Sequence, residues 1–394
     1  MAPAQAAPER FVSPLIRELP PSGIRKFFDL VANTRGVISL GVGEPDFVTP
    51  WHIREACFYS LEQGYTMYTS NFGLPELRQE VGRYLEAGFG VRYDPLAEII
   101  ITVGASEAID LALRAVLEPG DEVLIPAPCY VSYQPCALLA GGRPVTVPTR
   151  AENDFKLRPA ELEARITPRS KVLLLSYPNN PTGAIMTRED LLPIARLAER
   201  YDLLVISDEI YAELTYDGRH TSFASLPGMQ ERTVLINGFS KAFAMTGWRV
   251  GYAAAPAPII NHMLKIHQYT MLCAPIMSQK AAIEALRHGR EEVAQMVREY
   301  DRRRRFVVQR LREIGLDCFE PKGAFYVFPS IAATGMGAEE FSQALLEEEK
   351  VAVVPGTAFG EGGEQRLRCS YAASINDLAE AMNRIERFVK RHGS

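Results

Sequence analysis

A chain of 394 residues that is 47% hydrophobic and 23% charged has the composition of an ordinary folded protein, which excludes a disordered chain, a fibre and a membrane bundle. Its length sets a prior of about two or three domains and leaves room for a large buried site. A formal net charge of −5 argues against nucleic acid or any other polyanion as a general partner.

The opening, MAPAQAAPERFVSPL, has neither a basic start leading into an apolar core nor an Arg-rich amphipathic pattern, and no run in the chain approaches the roughly 18 apolar residues that span a bilayer. A cytoplasmic protein is expected. Residues 1–23 read as a proline-rich arm, and 24–50 as a segment joining a smaller unit formed mainly by 286–394. The six cysteines form no CxxC pair and the six histidines no HExxH spacing, so reduced thiols and no metal are expected.

Between residues 51 and 285, helix-length segments alternate with short apolar runs: EIIITVG, DEVLIPA, KVLLLSYP, LLVISDE, TVLINGFS and RVGYAAA. That alternation predicts an α/β unit, a mostly parallel sheet covered by helices, with ligands bound at the carboxyl ends of its strands. After residue 285 come a long amphipathic helix, GAFYVFPS, a helix near 338–349, VAVVPG, QRLRCSY and a closing helix, together a smaller α+β unit. Within the long helix the basic run Arg302–Arg305 reads as a solvated face.

The polar motifs follow these strands. IIITVGASEAIDLAL (99–113) is a strand, a glycine turn and a helix, so the N–H groups of Ala105 and Ser106 lie at a helix start suited to phosphate. It falls short of the GxSxG elbow because Ala108 replaces the last glycine, and GxGxxG and the P-loop pattern are both absent. In SYPNNPTG (176–183), turn chemistry explains the prolines and the glycine, but the doubled asparagine leaves the Asn180 amide free for a phenolate oxygen on a ligand ring.

LLVISDEIY ends a strongly apolar strand on Asp208. That carboxylate either caps a following helix or pairs with a cation such as a protonated pyridine nitrogen; Tyr211 either packs in the core or meets the same ligand. In FSKAFAMTGWRVG (239–251) Lys241 stands among apolar neighbours. Alone it fits a snorkelling side chain, but an apolar setting also lowers an amine's pKa and makes it a Schiff-base nucleophile. Arg249 offers a bidentate grip on a phosphate. Arg368, in RLRCSY, either faces water from an edge strand or holds a carboxylate.

In this order and context Asn180, Asp208, Tyr211, Lys241, Arg249 and Arg368 resemble the motif set of the class I/II aminotransferases, pyridoxal-phosphate enzymes of fold type I, and the likeness runs from SLGVGEPDF (39–47) to RCSYA (368–372). The resemblance implies a Schiff-base Lys241 that shuttles a proton between substrate Cα and cofactor C4′, with Asp208 on the pyridine nitrogen and Asn180 and Tyr211 on the ring 3-oxygen. It assigns ring stacking to Tyr130 and the phosphate to Ala105, Ser106 and Arg249. Many relatives have a serine phosphate ligand where this chain has Gly238, which leaves part of that role to Ser240 or water. Arg368, the backbone at Gly43 and Asn180 take the α-carboxylate; Ile24, Tyr68 and Tyr130 wall the pocket; and Tyr68 matches a tyrosine that reaches the neighbouring subunit of a homodimer.

KIHQYTMLCAPIMSQK (265–280) holds no arginine to grip a distal carboxylate, and with SGIRKFF (22–28) it resembles the branch of broad aromatic and acyl-diaminopimelate enzymes. The expected donor is an aromatic or bulky neutral amino acid and the expected acceptor 2-oxoglutarate. The alternatives are an aspartate or N-acetyl-diaminopimelate aminotransferase, or a carbon–sulfur lyase or synthase built on the same cofactor site. A regulatory domain of the same fold fits less well, since only about 25 residues precede the resemblance, too few for a helix-turn-helix module.

Overall fold

The computed structural model describes residues 8–21, 23 and 35–392. Residues 1–7 and 22 of the expected arm, and 24–34 of the expected smaller unit, lie outside them, as does the site call at Ile24.

Strand β1 (Ile38–Ser39) comes first, followed by the strands of the main sheet: β2 (Ile99–Thr102), β3 (Glu122–Ala127), β4 (Arg143–Pro148), β5 (Ser170–Ser176), β6 (Leu204–Asp208), β7 (Thr233–Gly238) and β8 (Gly251–Ala254). These seven run in the order β2-β8-β7-β6-β5-β3-β4. Only β8 is antiparallel to its neighbours, β2 and β7; the other pairs are parallel. The continuous apolar runs follow from burial on both faces. Val123 and Ile125 of β3 and Val172 and Leu174 of β5 pack into one core with the helix Gly104–Val116. The alternate residues Leu124, Leu173 and Leu175 pack into the opposite core with Leu191 and Ile194 of the helix Arg188–Arg200. A period of two along each strand thus supplies two cores. Strand β4 was not among the expected runs, because its pattern is broken by polar and proline residues and it lies at the sheet edge.

The C-terminal part adds β9 (Tyr326–Val327), β10 (Val351–Ala352), β11 (Val354–Pro355) and β12 (Leu367–Ser370). Strand β12 lies between β11 and β9 in an antiparallel sheet, while β10 pairs with β1, so the segment from Ile38 is tied to the C-terminal elements. The helix Arg290–Ile314 leads into this part and ends at Gly315, whose φ of 94° is the left-handed conformation of a helix stop.

That helix corrects one expectation. Arg302 and Arg305 are exposed, but Arg303 and Arg304 are buried at 6% and 3% exposure. Arg303 donates to both oxygens of Asp46 at 2.8 Å and to Glu299 at 2.8 Å. Arg304 pairs with Asp301 and Glu320 and donates to the Pro321 carbonyl at 2.9 Å. A helix covered on more than one side turns consecutive residues into different environments, and a buried guanidinium requires such partners. No helix among the described residues is long and apolar enough to cross a membrane.

Candidate active site

The carboxyl ends of β2, β5, β6 and β7 open onto one cavity of about 620 Å³, closed from the other side by Val42–Glu44, Tyr326 and Arg368. Gly43, Ala105, Ser106, Tyr130, Asn180, Asp208, Tyr211, Ser240, Lys241, Arg249 and Arg368 all line it. Of the remaining expected residues, Tyr68 does not line it and is 78% exposed on the surface, and Ile24 lies outside the described residues.

Backbone geometry brings the phosphate-type groups together. Gly104, at φ 78°, opens the helix Gly104–Val116, and a Cβ there would stand 2.5 Å from Arg249 Nη2. Only glycine lets the guanidinium lie against the helix start where the N–H groups of Ala105 and Ser106 are found. A Cβ on Gly251 would meet Ala105 N at 2.7 Å, which again forbids any other residue. At Gly238, a Cβ would stand 3.0 Å from Gly251 Cα and 3.2 Å from the Val250 carbonyl, so a serine there needs the facing strand to give by a few tenths of an ångström, whereas Ser240 faces the cavity.

Lys241 Nζ donates to the Gly43 carbonyl at 2.5 Å and sits 5.7 Å from the ring centres of Tyr211 and Phe325. Burial, aided by the charges of Arg368 and Arg249 and opposed by Glu44 and Asp208, lowers its pKa to about 8. The amine does not snorkel to water; it is held inside the cavity. Asp208, 4% exposed, caps no helix: its Oδ1 accepts the Ile210 N–H at 3.1 Å within a turn, and its Oδ2 accepts the Tyr133 hydroxyl at 2.7 Å. Burial pushes its pKa up to about 6, against the pull of those two donors. No arginine or lysine among the described residues hydrogen-bonds it, so the cation this carboxylate calls for has to come from a ligand.

Arg368 lies on the central strand of its sheet, 2% exposed, and not at an edge facing water. It donates to Asn180 Oδ1 at 3.1 Å and to the Gly41 carbonyl at 2.6 Å, and its guanidinium rests 4.6 Å from the centre of the Tyr326 ring. Its Nε is buried without a partner. The Tyr211 and Tyr326 hydroxyls are 2.8 Å apart, and burial with their mutual contact holds the Tyr211 phenol well above its ordinary pKa, so it stays protonated.

Tyr133 and Tyr326 are site residues that the sequence reading passed over. A tyrosine three positions after Tyr130 was the available signal for the first; the second, within GAFYVFPS, looked like strand core.

This donor set fits pyridoxal phosphate. Arg249 and the helix start suit a phosphate, Asp208 suits a protonated ring nitrogen, and Lys241 has the lowered pKa a Schiff-base amine needs. The glycines at 104 and 251 leave the space, and the orphaned Arg368 Nε marks unused donor capacity.

A family model described as aminotransferase class I and II matches residues 35–385. A Bacillus subtilis protein provisionally named aminotransferase YugH is 56% identical over 97% of this chain and 99% of its own length. The aspartate aminotransferase of Pyrococcus abyssi is 50% identical over 94% of this chain and 96% of its own. Among solved structures, an aromatic aminotransferase from Pyrococcus horikoshii superposes with a TM-score of 0.89 at 48% identity, covering 93% of this chain and 99% of that one.

Proposed function

The chain belongs to the class I and II aminotransferases, fold type I enzymes that depend on pyridoxal phosphate, and from that premise we propose that it moves the amino group of an aromatic or other bulky neutral L-amino acid to 2-oxoglutarate in two half-reactions. The observation that carries the choice of donor is the cavity's stock of cations. Among the described lining residues only Lys241, Arg249 and Arg368 are cationic, and each has a place in the shared chemistry, which leaves none for a second carboxylate on the donor. Val42, Tyr130 and Tyr326 supply apolar and aromatic wall instead.

Pyridoxal phosphate, when bound, supplies the electron sink for cleavage of the substrate Cα–H bond and stores the amino group between half-reactions. The protein supplies the rest. Arg249, Ser240 and the N–H groups of Ala105 and Ser106 would hold the phosphate; Asp208 would keep the proton on the ring nitrogen; Asn180 and Tyr211 would bond the ring 3-oxygen, and Tyr130 would cover the ring. Arg368, with Asn180 and the Gly43 backbone, orients the α-carboxylate. Lys241 Nζ would accept the proton from the substrate Cα and hold it for return on the cofactor side, a task suited to an amine with a pKa of about 8.

The same reading makes the enzyme a homodimer whose larger unit spans 51–285 and whose smaller unit is 24–50 with 286–394. Tyr68 is exposed, as are Trp51, Phe58, Tyr59, Met67 and Tyr269, apolar side chains that a second copy would cover while Tyr68 reached the neighbouring phosphate.

The test is the absorption spectrum of the holoenzyme. Phenylalanine or tyrosine is expected to discharge the visible band into the near-ultraviolet faster than aspartate, glutamate or an acyl-diaminopimelate. Faster discharge by aspartate overturns the donor assignment, and release of pyruvate and ammonia in place of discharge points to a lyase. Arg368→Ala is expected to raise KM for both amino and oxo acids about thirtyfold, the equivalent of about 2 kcal/mol for a charge-assisted contact. Steady-state kinetics check this, and unchanged KM values remove Arg368 from the carboxylate site.

A further inference from the structure

A second cavity, of about 600 Å³, lies on another side of the lysine turn, between the helices Pro75–Phe89, Ile276–His288 and Arg290–Ile314 and the segment 212–220. It serves none of the chemistry above, yet its electrostatics are unbalanced. Its two carboxylates are already engaged: Glu80 accepts from Arg83 and Arg287 at 2.5 Å, and Glu213 accepts the Tyr84 hydroxyl at 2.6 Å. Arg219, Arg290 and Arg298 also face the cavity, and none of them makes a salt bridge or side-chain hydrogen bond with the described residues. Three unengaged guanidinium groups around one cleft are conspicuous in a chain of net charge −5. By contrast, Arg302, Arg303, Arg304 and Arg305, farther along the same helix, all have carboxylate partners.

We propose that this cleft is an effector site for a small organic dianion with an apolar body. Arg290 and Arg298 are eight residues apart, about 12 Å along the helix axis, and Arg219 comes from a different segment, so long guanidinium side chains border the cleft from more than one side. Phe89 and Phe243 supply the apolar wall.

Phe243 also carries the link to the active site. It follows Lys241 by two residues, packs on Phe239 at 5.7 Å between ring centres, and lies 3.2 Å from where a Cβ would stand on Gly289, the residue joining the helices Ile276–His288 and Arg290–Ile314. On the same wall His220 Nε2 is 2.9 Å from Glu209, the residue after Asp208. An occupant therefore presses on the turn that presents Lys241 and on the helix that leads to Tyr326 and Arg368.

Calorimetric titration of the holoenzyme with phthalate and with phenyl phosphate tests the site, and the tighter binder shows whether carboxylate or phosphate oxygens are preferred. Saturable binding is expected to survive Arg368→Ala, which removes the substrate's own carboxylate site, and to weaken at least about tenfold in the double variant Arg290→Ala/Arg298→Ala. The bound probe is expected to change turnover in a way that saturating donor does not relieve and that the double variant abolishes. These arginines are exposed, so the variants keep the fold. The proposal is overturned by absence of saturable binding, by binding that the double variant leaves unchanged, or by binding that leaves turnover unaltered. Binding is read as heat, so the result does not depend on which amino acid is the donor.

Discussion

Replacing Lys241 by alanine is expected to abolish transamination while leaving a folded protein. In the proposed chemistry the amine is the group that carries the proton from substrate Cα, and a positioned acid–base group alone contributes up to about 10⁴-fold. Loss of the covalent link to the cofactor adds to this, so kcat/KM is expected to fall by at least about 10⁴-fold. The fold has no comparable need of the lysine. Burial holds the folded-state pKa at about 8, below the 10.5 of a free lysine. A lowered amine pKa means that the unfolded chain binds the proton more strongly, so the cofactor-free protein is destabilised as pH falls from about 10.5 toward 8, with the full penalty present below 8. Cofactor-free Lys241→Ala, which removes that penalty, is expected to be at least as stable as the parent at pH 7 and to lose this part of the pH dependence. Turnover assays and thermal denaturation of the two cofactor-free proteins between pH 7 and 10 check both halves. Retained turnover ends the catalytic role, and an unfolded variant ends the claim that the site is built against stability.

What was legible in the sequence is whatever a strand end carries by itself. Asp208, Lys241 and the glycine turn before Ala105 each follow an apolar run, and a parallel sheet brings such ends to one edge. Contacts between distant segments were not legible. Tyr133 reaches Asp208 from 75 residues away, Tyr326 reaches Tyr211 from 115, and nothing in their local patterns separates them from core aromatics. Arg303 and Arg304 failed for a related reason: their partners Asp46 and Glu320 come from other segments, and helical spacing alone reports neither. The antiparallel insertion of β8 was hidden as well, since burial on both faces gives parallel and antiparallel central strands the same apolar signature.

Asp208→Asn is expected to separate catalysis from stability still further. With folded-state pKa raised to about 6 from 3.8, the folded protein holds this proton more tightly than the unfolded chain, so stability falls as pH rises between the two values and the full cost is present above about 6. A shift of about two units corresponds to roughly 3 kcal/mol, which asparagine removes because it carries no charge. Its amide can still accept the Ile210 N–H and donate to the Tyr133 oxygen. Cofactor-free Asp208→Asn is therefore expected to be more stable than the parent above pH 6 and equal to it near pH 4, as urea denaturation at both pH values would show. Catalysis moves the other way. Without the carboxylate the ring nitrogen's proton has no buried counter-charge, and kcat/KM is expected to fall by a factor of about two hundred to five thousand, the 3–5 kcal/mol that a buried charge partner is worth. Tyr133→Phe acts through Asp208: losing a donor raises the carboxyl pKa further, so cofactor affinity and the spectral pKa of the bound cofactor are expected to shift in the Asn variant's direction by a smaller amount. A spectral pKa that Tyr133→Phe leaves in place would mean that Tyr133 only fills space. The cavity thus keeps an unpaired carboxylate and a depressed lysine at the expense of the empty fold, and both costs are relieved by the same ligand, which accounts for a buried Asp208 with hydroxyl and amide donors but no cation of its own.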